Sequence, residues 1–360
     1  MRTPSSSAAG RILAPGLLIS AAGLLGPGLA AGQGCMPMRI ATQVLGGQGD
    51  VYLARGTWQV GLAYRGSGSS HNIQGNQVQD SLQPHGQATV VRSDAMNLSL
   101  AYAVSDRLAL TLNVPFSQNS HTRYYADDVR HRNTSSGLGE VSFIANYWLR
   151  AAQALQPGGN LAIGIGLKAP GRNDVAGTWW NKAGVASAFP VHPSIQLGDG
   201  GWGIIVQTQA FQPIVSRLYL YAAGSYTLST KDTTDVLRAP PPAKPVYYGV
   251  PDVWDARAGA SLVLWPDKGL STSLGVRFDG TPRYDVLGGT DLGFRHPANI
   301  GYLDPGLVVT RGGHTVTLNV PIRIYKNFRR SYYELVNGIS AGGGLPQNMI
   351  LVTYSGRFRP

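Results

Sequence analysis

The sequence predicts an all-β fold, a closed antiparallel up-and-down transmembrane β-barrel of about twelve strands. Three observations lead there. Stretches of roughly ten residues alternate apolar and polar side chains along most of the chain, which is the period of a strand with two different surroundings. The connections between them alternate short and long. Charged residues are 14% of the 360, hydrophobic residues 43%, with 47 Gly and 17 Tyr. A typical soluble domain has about 25% charged residues, whereas a barrel with one face of each strand in lipid needs fewer.

The chain begins with a stretch that reads as a secretory leader, residues 1–32. Arg2 and Arg11 form its positive end, Ile12–Leu29 its apolar run, and Ala30-Ala31-Gly32 a small-residue cleavage site. An uncleaved anchor is the weaker alternative, because Pro15, Pro27 and several glycines interrupt the run. Residues 33–55 are a Gly-rich N-terminal periplasmic segment, and the barrel takes 56–360. No later stretch is apolar and long enough for a membrane helix, which leaves the periplasm, outer membrane or medium. The expected location is the outer membrane of a Gram-negative bacterium.

The strands follow in order. Thr57–Arg65 carries Trp58, Val60, Leu62 and Tyr64 on one face. Ala95–Val104 carries Met96, Leu98, Leu100 and Tyr102, and Leu108–Phe116 carries Leu110, Leu112, Val114 and Phe116. Glu140–Leu149, Asn160–Lys168, Gly201–Gln212 (where alternation blurs) and Leu218–Leu228 come next. Asp255–Trp265 and Leu270–Asp279 make a hairpin around Pro266-Asp267-Lys268-Gly269. The clearest hairpin is Asn299–Asn327. Its second strand sets Val316, Leu318, Val320, Ile322 and Ile324 on one face, and Thr315, Thr317, Asn319, Arg323 and Tyr325 on the other. Gly312 and Gly313 supply positive φ for its turn. Met349–Phe358 closes the series. Leu110–Phe116 echoes Val316–Ile322, and Pro115 and Pro321 each remove a ladder hydrogen bond, which predicts a bulge or loosened pairing there.

The gaps run long, short, long, short, long and onward, with Gly66–Asp94, Ser117–Gly139 and Ala169–Gly200 among the long ones. Short turns at one rim and long loops at the other produce that order, and an even strand number puts both termini at the short-turn rim. A barrel of about twelve strands is too wide to fill with apolar side chains. Its polar face therefore lines the lumen, and its aliphatic face meets outer-membrane lipid. Trp58, Tyr64, Tyr102, Phe116, Tyr147 and Phe358 are the candidate interfacial girdles.

The lumen face of the last hairpins collects Asp255, Arg257, Arg277, Asp279, Asp304 and Arg323. Arg257 falls across from Arg277 and Asp279, and Asp304 diagonal to Arg323, within reach of long side chains. They read either as a charged constriction that selects solutes or as a salt-bridge network that stiffens the wall and plugs the lumen.

Other chemistry is thin. The net charge is +11 and falls to about +9 without the two leader arginines. The basic residues are scattered, with no Lys/Arg run, so nucleic acid is not an expected partner; anionic head groups or an anion-favouring pore fit better. The single cysteine, Cys35, allows neither an internal disulfide nor a zinc cluster. Cys35, Met36 and Met38 group soft ligands for Cu(I), yet no histidine is near. No cofactor or metal site is predicted. Gly198–Gly203 matches G-x-G-x-x-G but precedes a strand rather than a helix, so it reads as a loop end. His71, His85, His121, His131 and His192 fall in the expected outer loops, with no spacing that supports catalysis.

Gly137-Leu138-Gly139-Glu140, the strand Leu112-Asn113-Val114-Pro115-Phe116, Gly275–Gly280 and Asp304-Pro305-Gly306-Leu307 resemble the outer-membrane barrels grouped as "meta-pathway of phenol degradation". The resemblance is diffuse and spans most of the expected mature chain. It implies a transporter-like barrel of Gram-negative bacteria, often encoded beside catabolic enzymes, and carries over no catalytic residue. The chain departs from the usual outer-membrane ending, since Phe358 is followed by Arg359-Pro360. The expectation is a non-enzymatic channel for passive movement of a small solute, aromatic or hydrophobic on the strength of the resemblance. The rivals are a structural or adhesive barrel with a plugged lumen, and a membrane-embedded hydrolase with a Ser or Asp beside a loop His. No feature of the sequence sets an oligomeric state.

Overall fold

Alternation of apolar and polar side chains over ten or more residues leaves the chain one solution in lipid, a sheet with no free edge. The computed structural model describes residues 52–151, 158–241, 243–287, 293–339 and 342–359, and they adopt that solution. The proposed leader, Cys35 with its two methionines, and the rest of the N-terminal segment through Val51 lie outside the described residues.

The wall is made by β1 (Trp58–Ser69), β2 (Val90–Ala103) and β3 (Leu108–Tyr124), then β4 in two segments (Arg130–Leu138 and Ser142–Trp148). Then come β5 (Asn160–Lys168), β6 (Gly203–Val215), β7 (Leu218–Ser229), β8 (Val253–Trp265) and β9 (Leu270–Thr281). The last are β10 (Ala298–Arg311), β11 in two segments (His314–Asn319 and Ile322–Phe328) and β12 (Asn348–Phe358). Each strand pairs antiparallel with its neighbours in sequence, and β1 pairs with β12, Trp58 opposite Phe358, to close the cylinder. Short turns and the C-terminal end of β12 share one rim. The long connections sit at the other.

The faces fall as the alternation predicts. Val316, Leu318, Val320, Ile322 and Ile324 are 45, 38, 38, 47 and 60% exposed, while Thr317 and Asn319 between them are buried. Leu98, Ile163, Ile165, Leu274 and Val276 likewise point out, and Ser261, Ser271 and Ser273 point in and are buried. Leaving such an aliphatic side chain in water forgoes roughly 1.5–3 kcal/mol. Repeated around the whole wall, that sum is met only by acyl chains. Among the described residues no helix is long and apolar enough to cross a membrane. Trp58, Tyr102 and Phe358 are register neighbours at the terminal rim, with the Trp58 and Tyr102 rings 4.6 Å apart. Tyr64 and Phe116 flank Met96 at a second outward level further along the wall.

Both prolines break the ladder. Val114 and Pro115 of β3 face three residues, Gly139, Glu140 and Val141, between the paired Phe116/Leu138 and Asn113/Ser142. The extra residue splits β4 and turns Glu140 inward, where it is buried. Pro321 splits β11. Ile324 is then bulged, since Arg323 pairs with Tyr302 while Tyr325 pairs with Gly301. That bulge corrects the expected face of Tyr325. It lies outward, 43% exposed, instead of sharing the lumen face with Arg323.

Two further expectations are corrected. Ser117–Gly139 is not a loop: β3 and β4 run on as a ribbon to the pair Tyr124/Arg130. Above the membrane both faces of this ribbon are polar, so alternation no longer marks it. In the β10–β11 turn only Gly312 has positive φ, at 58°. Gly313 serves close approach instead, because a Cβ there would come within 2.9 Å of the Arg357 carbonyl.

The long loops fold inward over the outer mouth. Ile73 and Leu345 from two of them pack with Ala298, Ile300, Tyr302, Phe328 and Met349 in one buried cluster. Val191 and Ile195 pack on Val91, and Val236 packs with Tyr248 and Phe294.

Candidate site in the lumen and at its mouth

Inward alternation on three adjacent strands builds a ladder of charge. Asp255 and Arg257 on β8 pair in register with Asp279 and Arg277 on β9, and Gly275 is opposite Asp304 on β10. Arg277 donates from Nε and Nη2 to Asp304 Oδ2 at 3.3 and 3.2 Å, with both side chains buried. Ser225 Oγ on β7 donates to Asp255. Tyr221 lays its hydroxyl across Gly259 and Gly275; a Cβ on either glycine would come within 2.6 and 2.5 Å of it. Arg65 also faces inward, between Tyr64 and Gly66 on β1, four strands around the wall from Asp279. Arginine and aspartate are therefore balanced: Arg65, Arg257 and Arg277 against Asp255, Asp279 and Asp304. Arg257 Nε and Nη1 and Asp279 Oδ2 are buried with no hydrogen-bond partner.

The structure thus brings Asp255, Arg257, Arg277, Asp279 and Asp304 together. Arg323 is placed differently. Its Nη1 donates to the carbonyls of Leu345 and Pro346 at 2.7 and 3.3 Å, while Asp304 takes Arg277 as its partner. The break at Pro321 and the bulge at Ile324 set Arg323 beside the returning loop before β12. Arg65 was legible from the alternation of β1 but lies far in sequence from the other charges.

A second ion cluster holds the wall at the β4 bulge. Lys168 Nζ on β5 lies 2.9 Å from Glu140 Oε1 and 2.7 Å from Asp199 Oδ1, all three buried. Asp199 also donates its backbone N–H to Glu140 Oε1 at 2.9 Å. The triad ties the loop before β6 to the bulge that Pro115 creates.

Sequence reasoning missed a cluster at the outer mouth. His121 and Arg123 lie on the extended part of β3, and His192, Arg238, Tyr248 (in the short strand Tyr247–Gly249), Phe294 and His296 on the long connections between wall strands. The His121 and His192 rings stack at 4.5 Å and 13°. Burial holds the His192 imidazole well below its ordinary pKa, and the neighbouring His121, Arg123, His296 and Arg238 push the same way. Burial and Arg238 do the same to His296. Burial pushes the Tyr248 phenol up to about 12. Nothing in local sequence joins these residues; only the folded loops do.

The hydrolase reading asks for a Ser or Asp beside a loop His, and such pairs are present. His71 Nδ1 lies 2.5 Å from Asp80 Oδ2, His85 Nε2 3.1 Å from Asp128, and His131 Nε2 2.6 Å from Asp127. His192 Nδ1 lies 2.8 Å from Ser194 Oγ, but the Ser194 backbone N–H also donates to that nitrogen, as in a local turn cap. Among the described residues none of these pairs is extended to a nucleophile, base and orienting acid in one line.

A closed twelve-stranded cylinder with an aliphatic outer belt and a charged inner wall is an outer-membrane β-barrel. No protein-family model matches the chain, and no curated protein matches it in sequence. Among solved structures it is similar to an outer membrane channel from Pseudomonas putida F1. That match has 14% identity, covers 86% of this chain and 98% of that one, and has a TM-score of 0.58. The translocator domain of the autotransporter NalP from Neisseria meningitidis matches at 12% identity over 86% of this chain and 90% of that one, with a TM-score of 0.47. The toluene transporter TbuX from Ralstonia pickettii matches at 11% identity over 85% and 90%, with a TM-score of 0.39. The first likeness is one of barrel fold; the other two are too loose to carry an argument.

Proposed function

We propose that the protein is a passive outer-membrane channel for a small solute, and that aromatic or hydrophobic molecules are its substrate class. The observation that carries this is the inner wall. Asp255, Arg257, Arg277, Asp279 and Asp304 form a charge ladder that faces the lumen of a closed, lipid-belted cylinder. Such a ladder sorts what passes by charge and hydrogen bonding, and Arg257, Arg277 and Asp304 are its selectivity residues. Arg323 acts one step removed, by holding the Leu345–Pro346 turn at the mouth. The fold shared with a channel over 98% of that chain agrees with the reading, as does the resemblance in Gly137–Glu140 and Asp304–Leu307. The substrate class rests on that resemblance.

One observation favours a second reading. The ladder is buried rather than bathed in solvent, as a stiffened, non-conducting wall would have it. That reading makes the protein a structural or adhesive barrel. Purified protein in planar bilayers and liposomes separates the two. Conductance, or flux of a small aromatic solute, supports the channel. No conductance and no flux removes it in favour of the structural barrel.

A further inference from the structure

The outward face of the wall changes character where β2, β3 and the first segment of β4 rise past the lipid. Antiparallel register sets their side chains in rows. Tyr64, Met96, Phe116 and Leu138 form one row across β1 to β4, each exposed and aromatic or aliphatic. The next outward row is Gly66, Asp94, Gln118 and Ser136, and the one beyond is Gly68, Arg92, Ser120 and Thr134. Then come Val90, Thr122 and Arg132, and last Tyr124 and Arg130. The alternate residues face the loops. Val91 packs with Val191 and Ile195, His121 stacks on His192, and Asn133 Nδ2 donates to the Thr178 carbonyl at 2.9 Å. Three arginines therefore share the outward face. Arg92 and Arg132 are exposed, and among the described residues neither pairs with a carboxylate. Arg130 donates to Gln87 and to the Ala88 carbonyl, neutral acceptors that aim the guanidinium and leave its charge. Of the acids on or beside this face, Asp94 accepts from the Tyr64 hydroxyl at 2.6 Å, and Asp128, at the ribbon tip, lies 3.1 Å from His85 Nε2.

The height of this field says what it meets. Arg92 is four residues past Met96 and Arg132 six past Leu138. At about 3.3 Å per residue and a tilt of about 40°, they stand about 10 and 15 Å above the last apolar row along the membrane normal. The headgroup layer of a phospholipid leaflet is only about 5–8 Å deep. A taller headgroup is needed to reach both. Guanidiniums bind phosphate through paired, charge-assisted hydrogen bonds. Gln118, Ser136, Thr134 and Thr122 stand between them and offer neutral donors and acceptors of the kind that sugars use. Gly66 and Gly68 add no side chain on the β1 side, so the field is open there. Phosphates carried on sugars, directly above acyl chains, match all three features. The long-loop rim faces the cell exterior, and the outer leaflet on that side carries such a lipid, lipopolysaccharide.

We propose that the outward face of the β2–β4 ribbon is a binding surface for lipopolysaccharide, whose phosphates are held by Arg92, Arg130 and Arg132 and whose acyl chains lie on the row of Met96, Phe116 and Leu138. The surface continues the lipid-facing belt upward. It goes beyond the channel reading and holds whether or not the lumen conducts.

The test is calorimetric titration of the purified full-length barrel in detergent with a short-core lipopolysaccharide, with the same lipid stripped of its phosphates, and with inorganic phosphate. EDTA is present so that no divalent ion bridges the phosphates. The intact lipid is expected to bind at least about tenfold more tightly than the stripped one. The double variant Arg92→Gln/Arg132→Gln is expected to weaken the intact lipid about tenfold and to leave the stripped lipid unchanged. Arg217→Gln/Arg311→Gln removes the same charge from exposed turns at the opposite rim and should change neither. Heat-modifiable gel mobility checks that the variants are folded, and the comparison of lipids on the unaltered protein needs no variant. Equal affinity for intact and stripped lipid overturns the proposal, as does an unchanged affinity in the folded Arg92/Arg132 variant. An equal loss in both double variants overturns it too, since net charge alone would then act. Displacement of the lipid by an equal concentration of inorganic phosphate marks a site for the free anion and also overturns it.

Discussion

Asp304→Asn should cost the barrel about 3 kcal/mol of stability. The Arg277–Asp304 pair is 3.2 Å apart and both side chains are at most 3% exposed, so solvent screens it little. At that distance a charge pair is worth about 5 kcal/mol at an effective dielectric of about 20. Asparagine keeps the size and one acceptor oxygen, which retains roughly 2 kcal/mol as a hydrogen bond from the charged guanidinium. The remainder agrees with the roughly 3–5 kcal/mol lost when one member of a buried pair is removed. The balance of the inner wall also changes, because three arginines then face two aspartates. Urea titration in detergent micelles, followed by tryptophan fluorescence and gel mobility, reads the loss as a lower midpoint at unchanged slope. The double variant Arg277→Gln/Asp304→Asn should recover much of the loss, since it leaves no lone buried charge. An Asp304→Asn midpoint within about 0.5 kcal/mol of the original, or simple additivity in the double variant, would refute the argument.

Three other outcomes follow from the same structure. Lys168→Met leaves Glu140 and Asp199 buried side by side without their cation; a loss of about 3–5 kcal/mol and faster proteolysis within residues 169–202 are expected, with partial rescue by Glu140→Gln. Ile165→Arg puts a cation on the lipid face and should cost about 2–4 kcal/mol or block assembly, as read by refolding yield into liposomes. His192 and His296 titrate below their ordinary value of 6.5 when the mouth is closed. The open mouth then binds more protons between that depressed value and 6.5, so closure weakens as pH falls below about 6.5 and is indifferent to these groups above it. Hydrogen exchange in residues 169–202 and 293–297 should accordingly quicken at pH 5 relative to pH 7.5, and equal rates would contradict it.

The wall was legible because lipid imposes one rule on every residue of a strand. Val316 to Ile324, Leu161 to Leu167 and Leu270 to Asp279 each declare their faces by period alone. The rule stops at the membrane. Ser117, Gln118, Asn119 and Ser120 continue β3 with no apolar face, so the ribbon read as a loop. Proline was legible as a disturbance but not as a direction: nothing before folding said that Pro115 would turn Glu140 inward, or that the bulge at Ile324 would send Tyr325 out. Within the candidate site, the five charges on β8, β9 and β10 were legible since hairpin register fixes their neighbours. Arg323 was legible as an inward charge on β11, but its bonds to the Leu345 and Pro346 carbonyls were not, because those come from a loop. The mouth cluster was invisible for the same reason, for it joins residues from β3 and three separate loops.

The aliphatic stripe of the wall touches lipid. The most direct measurement uses the chain's single cysteine, Cys35, replaced by serine, and spin labels placed one at a time at positions 316 to 320 in liposomes. Labels at Val316, Leu318 and Val320 should collide readily with oxygen dissolved in the acyl region and poorly with an aqueous nickel complex. Those at Thr317 and Asn319 should show low oxygen collision. An inverted pattern, or none with a period of two, would contradict it.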